Sequence, residues 1–207
     1  MKRKFGIVIS AFIFVFITLL SSKVQAQTNE LDVQYSAHVQ NIGWQQPVQG
    51  SSGNFAGTTG QSLRIEAIKA KLINTSSFPN AKISYQAHVQ NIGWMSWKEA
   101  GDQDNDEAGT TGQSLRLEAI RMKLEGASGY HIEYQAWVQN IGWMNWVKGG
   151  DQDENTAGTI GKSLRIEAIR IKIVNDNTNS VQPPQPSQPI QPTGNINVNY
   201  QTQVQNI

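Results

Sequence analysis

The chain of 207 residues contains no cysteine. Disulfides, thiol nucleophiles and cysteine metal centres are excluded, so stability must come from buried apolar surface. Charge of one sign is lacking as well, with 17 lysines and arginines against 16 acids. That balance gives no electrostatic footprint for nucleic acid. Long apolar runs are confined to Phe5–Leu20, preceded by Lys2, Arg3 and Lys4 and followed by Ser21, Ser22 and Val24-Gln25-Ala26. This order is that of a secretory signal peptide, residues 1–26, cleaved after Ala26. The run is close to the roughly 17 residues that span a bilayer, but the polar stretch right behind it favours cleavage over a retained anchor. Losing Lys2, Arg3, Lys4 and Lys23 leaves 13 cations against 16 acids, a formal charge of −3. The mature chain is expected to be secreted, extracellular or bound at the cell surface, with no membrane contact after cleavage.

What is present is one statement made three times. Tyr35 opens YSAHVQNIGW and, further on, AGTTGQSLRIEAIKAKL; Tyr85 and Tyr134 open near-copies at spacings of 50 and 49 residues. Such a period marks one supersecondary unit packed against its own copies, here residues 31–75, 81–126 and 130–175. A Pro/Gln-rich linker, residues 176–195 with VQPPQPSQPIQP at its centre, has the composition of an extended spacer. Residues 196–207 repeat the opening strand and stop before the expected Gly-Trp, as a truncated fourth repeat would. An enzyme needs one asymmetric constellation, whereas three copies offer three equivalent shallow sites. The architecture points to multivalent binding without catalysis.

Within a copy the pattern is that of strands. In 134–143 one face carries Tyr134, Ala136 and Val138 and the other Gln135, Trp137 and Gln139, which predicts a core face and an outward face. In 164–173 the apolar set Leu164, Ile166, Ala168 changes phase to Ile169, Ile171, Ile173. That shift predicts a bulge near Ala168, with equivalents near Ala67 and Ala119. Gly57-Thr58-Thr59-Gly60 and its counterparts at 109–112 and 158–161 read as tight turns, not phosphate loops, because a strand follows each. The fold class is all-β: three repeats in a closed pseudo-threefold assembly, β-trefoil or β-prism-like, with an open β-solenoid as the remaining arrangement.

The run HVQNIGW, a middle with a second Trp, and AGTTGQSLRIEAI resemble the ChW repeat family, clostridial hydrophobic repeats with a characteristic tryptophan, and the match covers all three copies. Its Gly-Trp pair stands at Gly43-Trp44, Gly93-Trp94 and Gly142-Trp143. The resemblance implies a secreted bacterial protein of the Gram-positive-like cell surface, with repeats proposed to bind polysaccharide or protein. The first copy departs from the pattern, with Pro47 where the others have Trp97 and Trp146.

Sugar sites combine an aromatic face for stacking with amides and acids for the hydroxyls. The candidate ligand-binding residues are therefore Trp44, Trp94 and Trp143 with Gln40, Gln90, Gln139 and Asn41, Asn91, Asn140 just before them. The same three indoles also fit core plugs at the threefold seam, and that is the expectation for them; Trp97 and Trp146 are expected partly exposed. His38, His88 and Trp137 share one position on the outward face, as ligand platform or cross-strand partner. No cofactor is implied. Zinc is disfavoured, since the two equivalent histidines lie in different copies and the third has indole. Residues 102–107 resemble a calcium loop but lack its end ligand, leaving a solvated acidic turn. Arg64-x-Glu66, Arg116-x-Glu118 and Arg165-x-Glu167 read as ion-pair ladders between strands, and three interchangeable glutamates beside arginines do not resemble the two carboxylates of a glycosidase. The expected partner is extracellular or cell-wall polysaccharide, or alternatively other secreted or surface proteins.

Overall fold

The computed structural model describes residues 30–100 and 106–177. The expected signal peptide, the Asp102 and Asp104 part of the acidic turn, nearly all of the spacer and the fourth-repeat strand lie outside the described residues.

Each copy folds as the alternation predicts, into two long strands flanking three short ones. The first copy gives β1 (Asp32–Val39), β2 (Gly43–Trp44), β3 (Val48–Gln49), β4 (Ala56–Gly57) and β5 (Ile65–Ile73). The second gives β6 (Lys82–Val89), β7 (Gly93–Trp94), β8 (Lys98–Glu99), β9 (Ala108–Gly109) and β10 (Leu117–Glu125). The third gives β11 (Tyr130–Val138), β12 (Gly142–Trp143), β13 (Val147–Lys148), β14 (Ala157–Gly158) and β15 (Ile166–Asn175). Among the described residues there is no α-helix, and the chain is all-β.

The opening strand of each copy pairs antiparallel with its own long strand, β1 with β5, β6 with β10 and β11 with β15. Its other edge carries the two short strands that follow it. The far edge of each long strand is filled by the Ala-Gly strand of another copy: β9 on β5, β14 on β10, and β4 on β15. The second copy therefore completes the first, the third completes the second, and the first completes the third. The first and third copies are thus paired directly. The result is three sheets of five strands, with no single hydrogen-bonded barrel joining them.

The donated strand can approach this closely only because it ends in glycine. A Cβ on Gly109, at φ +128°, would lie 2.3 Å from the Glu66 carbonyl oxygen, and Gly57 and Gly158 stand equally close to the Glu167 and Glu118 carbonyls. The next residue completes the join, as Thr110 N–H donates to the Glu66 carbonyl at 2.9 Å. The predicted bulge is there too. Val39 pairs with Ile65 while His38 pairs with Ala67, so Glu66 is the unpaired extra residue, as are Glu118 and Glu167 in the other copies.

The core is built from Val33, Tyr35, Ala37 and Val39 with their counterparts, and from Ile68, Ile120, Ile169 and neighbouring apolar residues of the long strands. Tyr35, Tyr85 and Tyr134 are its largest buried side chains, at 1% exposure or less. The Tyr85 hydroxyl accepts from Ala70 N–H of the first copy at 3.2 Å and donates to the Asp106 carbonyl of its own. Tyr134 likewise accepts from Met122 N–H of the second copy at 3.0 Å and donates to the Asn155 carbonyl, and Tyr35 donates to the Asn54 carbonyl at 2.8 Å with the Ile171 backbone beside it. These phenols occupy the seams between copies, where the tryptophans were expected. A phenol serves there because its hydroxyl meets both a backbone N–H and a backbone carbonyl, which an indole N–H, donor only, could not.

Burial pushes each of these phenols up to about 12. Because the folded-state value lies above the unfolded value near 10, their contribution is fully present below about pH 10 and is lost as pH rises toward 12. Urea unfolding should accordingly show constant stability from pH 7 to 9 and a fall of about 3 kcal/mol per tyrosine between pH 10 and 12; a midpoint that does not move across that window would contradict it. Gly109→Ala should lower stability by about 3 kcal/mol or more, whereas Gly112→Ala, which has a positive φ but open space around it, should cost about 1 kcal/mol. Equal losses in the two variants would show that the strand junction is not the tight point.

Candidate functional site

Each hairpin from the opening strand to its Gly-Trp strand turns on a left-handed asparagine, Asn41, Asn91 or Asn140 at φ +62° to +63°, followed two residues later by a left-handed glycine. Ile42 N–H closes the turn onto the Val39 carbonyl at 3.0 Å. The asparagines are exposed and Gln40, Gln90 and Gln139 half-buried, the glutamine backbone being tied to the Arg64, Arg116 or Arg165 carbonyl. Their backbone role is therefore set by the turn, and their side chains remain at its surface. At the tip, Ile42, Ile92 and Ile141 are each 51% exposed. Sequence reasoning missed them, although an isoleucine kept in all three copies of a polar turn is itself the signal.

The turn sets the indole against the ring one strand over. His38 meets Trp44 edge-on at 5.5 Å between centroids, His88 meets Trp94 at 5.4 Å, and Trp137 meets Trp143 at 5.7 Å. These are the cross-strand partners that the register dictates. The expectation that the Gly-Trp indoles plug the core is overturned, because Trp44 is 38% exposed and Trp94 and Trp143 are half-buried on the outer side of their sheets. The residues of the opening strand in phase with Tyr35, Tyr85 or Tyr134 take the core in each copy, and the edge strand carrying the indole reaches only the other face. That face is more covered than expected: Ser36, Gln86 and Gln135 are buried, and the Gln135 amide donates to the Met144 carbonyl at 3.0 Å.

A cation from the long strand lies over every Gly-Trp indole. Lys69 Nζ stands 5.0 Å from the Trp44 ring, Arg121 4.4 Å from Trp94 and Arg170 4.3 Å from Trp143. Two residues on, Lys123 covers Trp97 at 5.1 Å and Lys172 covers Trp146 at 4.3 Å. Trp97 is half-buried and Trp146 36% exposed, as expected for the second set. In the first copy Pro47 offers no aromatic ring, and a groove of about 180 Å³ opens there between Pro47, Lys69, Lys71 and Asp106. These cations were not picked out from sequence, though the bulge places them all on the indole face. Contacts of this kind contribute about 0.5–2 kcal/mol each and fix one face of the ring.

Lys172 is also bound to Glu133 at 2.8 Å, and His131 approaches the same carboxylate at 3.3 Å. Burial pushes the Glu133 carboxyl up, but the hydrogen bonds from Lys172 and His131 outweigh it and hold it below the usual carboxylate range.

Behind the rings sit the bulged glutamates, 4–6% exposed. Arg64 grips Glu66 through Nη2 at 2.6 Å and Nε at 3.0 Å, with the same fork at Arg116–Glu118, and Arg165 approaches Glu167 at 2.7 Å. Each pair lies along one stretch of chain, from the arginine just before the long strand to its bulged glutamate, not between strands as expected, because the bulge turns the glutamate back along its own chain. His38 Nδ1 and His88 Nδ1 lie 3.2 Å from their glutamates but off the hydrogen-bonding line. Every carboxylate of this set is neutralised by its own arginine. Among the described residues no group of three histidines or acids is placed to hold a metal ion.

The repeated unit seen here coincides with a known one. The family model for the Clostridial hydrophobic W repeat matches residues 38–74, 88–126 and 137–175. The chain belongs to the ChW family. Each matched segment begins at the ring position His38, His88 or Trp137 and ends with the long strand, so one ChW repeat contains ring, indole and cation together. Neither the curated proteins nor the solved structures contain a match to the chain.

Glu118→Gln would leave Arg116 without its counter-charge in a nearly closed environment. Stability should fall by about 2 kcal/mol in denaturant unfolding, with Trp94 emission altered; a neutral result would show that the ion pair is dispensable to the bulge.

Proposed function

We propose that the ChW block is a secreted, noncatalytic, multivalent module that binds extracellular or cell-wall polysaccharide. The observation that carries the reading is the recurrence, in every copy, of a surface indole held on one face by a cation and on its edge by a second ring. An indole fixed in this way loses little freedom when a pyranose stacks on it, which favours weak but repeatable binding. Half-buried Gln40, Gln90 and Gln139 and exposed Asn41, Asn91 and Asn140 lie at the adjacent turn, within one hairpin of each ring. Trp97 and Trp146 extend the aromatic surface in two copies, and Pro47 makes the first copy the weakest. The cyclic exchange of Ala-Gly strands supports a closed pseudo-threefold arrangement, nearer a β-prism of three sheets than a trefoil barrel. On such a body, single sites of low affinity are reinforced by repetition along a polymer. The neutralised glutamates support a role without catalysis.

A surface protein-interaction or adhesion module is the second reading, and one observation favours it. Ile42, Ile92 and Ile141 expose an apolar side chain at every turn tip, which a hydrated polysaccharide has little use for and a protein partner could bury.

A pull-down on insoluble polysaccharides and purified cell walls separates the two. The chain should be retained, and the Trp97→Ala, Trp146→Ala double variant, checked for folding, should lose about tenfold or more of its binding. Retention of neither form by any glycan, with loss of protein capture on Ile92→Asp, would transfer the conclusion to the second reading.

A further inference from the structure

The three cations over the Gly-Trp indoles, Lys69, Arg121 and Arg170, are equivalent in the fold but not in their company. Each is met by the loop that precedes the donated Ala-Gly strand, so the neighbouring copy decides what the cation finds. Lys69 finds Asp106 of the second copy, 3.3 Å away. Arg121 finds the third copy's loop, where it pairs with the Asp153 carboxylate, donates to Thr156 Oγ1 at 2.8 Å and reaches the Asp151 carbonyl at 3.3 Å. Both positive charges are thus answered from within the chain.

Arg170 is met by the first copy's loop, which is two residues shorter and reads Gly50-Ser51-Ser52-Gly53-Asn54-Phe55. No acid stands in it. What Arg170 receives is the Phe55 ring, 5.9 Å from its guanidinium carbon, and Phe55 in turn meets Trp143 edge-on at 5.8 Å. Among the described residues the guanidinium makes no ion pair, and its Nε is buried without a hydrogen-bond partner. A half-buried guanidinium that the chain leaves without a counter-ion is a place where an incoming anion gains a charge-assisted bond. Trp143 and Phe55 lie against it and Trp137 stands edge-on to Trp143, a set of three aromatic rings that neither of the other copies has.

We infer that the Arg170 site of the third copy binds a carboxylate carried on a sugar ring, that is, a uronic acid residue of a polysaccharide. The ligand carboxylate would take the place that Asp153 occupies beside Arg121, with two parallel N–H bonds from the guanidinium fork, while the pyranose lies against the aromatic rings. This rests on the glycan-binding reading and adds to it a charge preference and a location. A neutral hexose could use the rings but would leave the charge unanswered.

The test titrates the full chain with methyl glucuronide and with methyl glucoside, following tryptophan emission and calorimetric heat. Wild type should prefer the glucuronide by about tenfold or more at low salt, and added salt should narrow the difference. Asn54→Asp places an acid where the second copy has Asp106, next to the cation it serves. It should fill the site from within and remove the glucuronide preference while leaving glucoside binding alone. Arg170→Gln should remove the preference by the opposite route, so a folding failure in one variant does not silence the other. Equal binding of the two sugars by wild type, or an undiminished glucuronide preference in Asn54→Asp, would overturn the inference and leave the wider glycan reading intact. Binding of neither sugar overturns it as well, and the polysaccharide pull-down then reports separately on whether that wider reading survives.

Discussion

The structure depends on an edge that no copy can fill for itself. A long strand such as β5 has its own opening strand on one side and a row of unpaired backbone groups on the other. Among the described residues, the segment supplied to that edge is another copy's Ala-Gly strand, admitted because the glycine brings backbone to within contact of the bulged glutamate's carbonyl. Since each copy gives one such strand and receives one, the set is complete at three, with the first copy completing the third. The seam phenols follow from the same exchange. Once the copies are held edge to edge, a backbone N–H of one long strand is left facing the next copy's opening strand, and the tyrosine hydroxyl answers it.

Sharing strands also makes every site composite. Ring, indole and cation come from one ChW repeat, but the group facing the cation comes from the neighbour's loop. Fold symmetry and chemical symmetry are thereby separated: loops can diverge without disturbing the junction, because their ends are fixed by the Ala-Gly strand and by the tyrosine bond to Asn54, Asp106 or Asn155. Lengthening by two residues and acquiring acids, as in the second and third copies, changes the site next door and not the copy that carries the loop.

This division explains what could be read from the sequence and what could not. Strand alternation, the bulge and the glycine turns are local, so their residues announce them, and the phase change at Ala67, Ala119 and Ala168 located the bulge to within one residue of the unpaired glutamate. The exchange of Ala-Gly strands is not local; nothing in AGTTG says that its partner lies in another copy. The same holds for the tryptophans. Their size argued for burial, yet they follow a turn whose parity assigns the next strand's side chains to the outer face, and the core was already filled by tyrosines. The cations over the rings were hidden for a related reason, since their pairing with the indoles requires knowing that the bulge has shifted the strand's phase. Arg64 and its counterparts were visible as charge pairs but assigned to the wrong direction, across strands instead of along one.

The cation over each indole carries a further consequence for binding. A tryptophan at a surface turn would ordinarily sample several rotamers and would lose that freedom on meeting a ligand, at about 0.5–1.5 kcal/mol per side chain. Here the ring is already held by a cation across one face and an aromatic edge, so the loss has been met during folding. Lys172 shows how the holding is itself secured: Glu133 keeps its negative charge against burial because Lys172 and His131 bond to it, and in doing so it anchors Lys172 over Trp146. Arg121 is anchored by Asp153 in the same sense. Among the described residues, Arg170 alone of the three cations over the Gly-Trp indoles has no acid to hold it in turn. It lies against the Phe55 and Trp143 rings, so an incoming anion would strengthen the stack as it binds, and ring and charge would act there as one site.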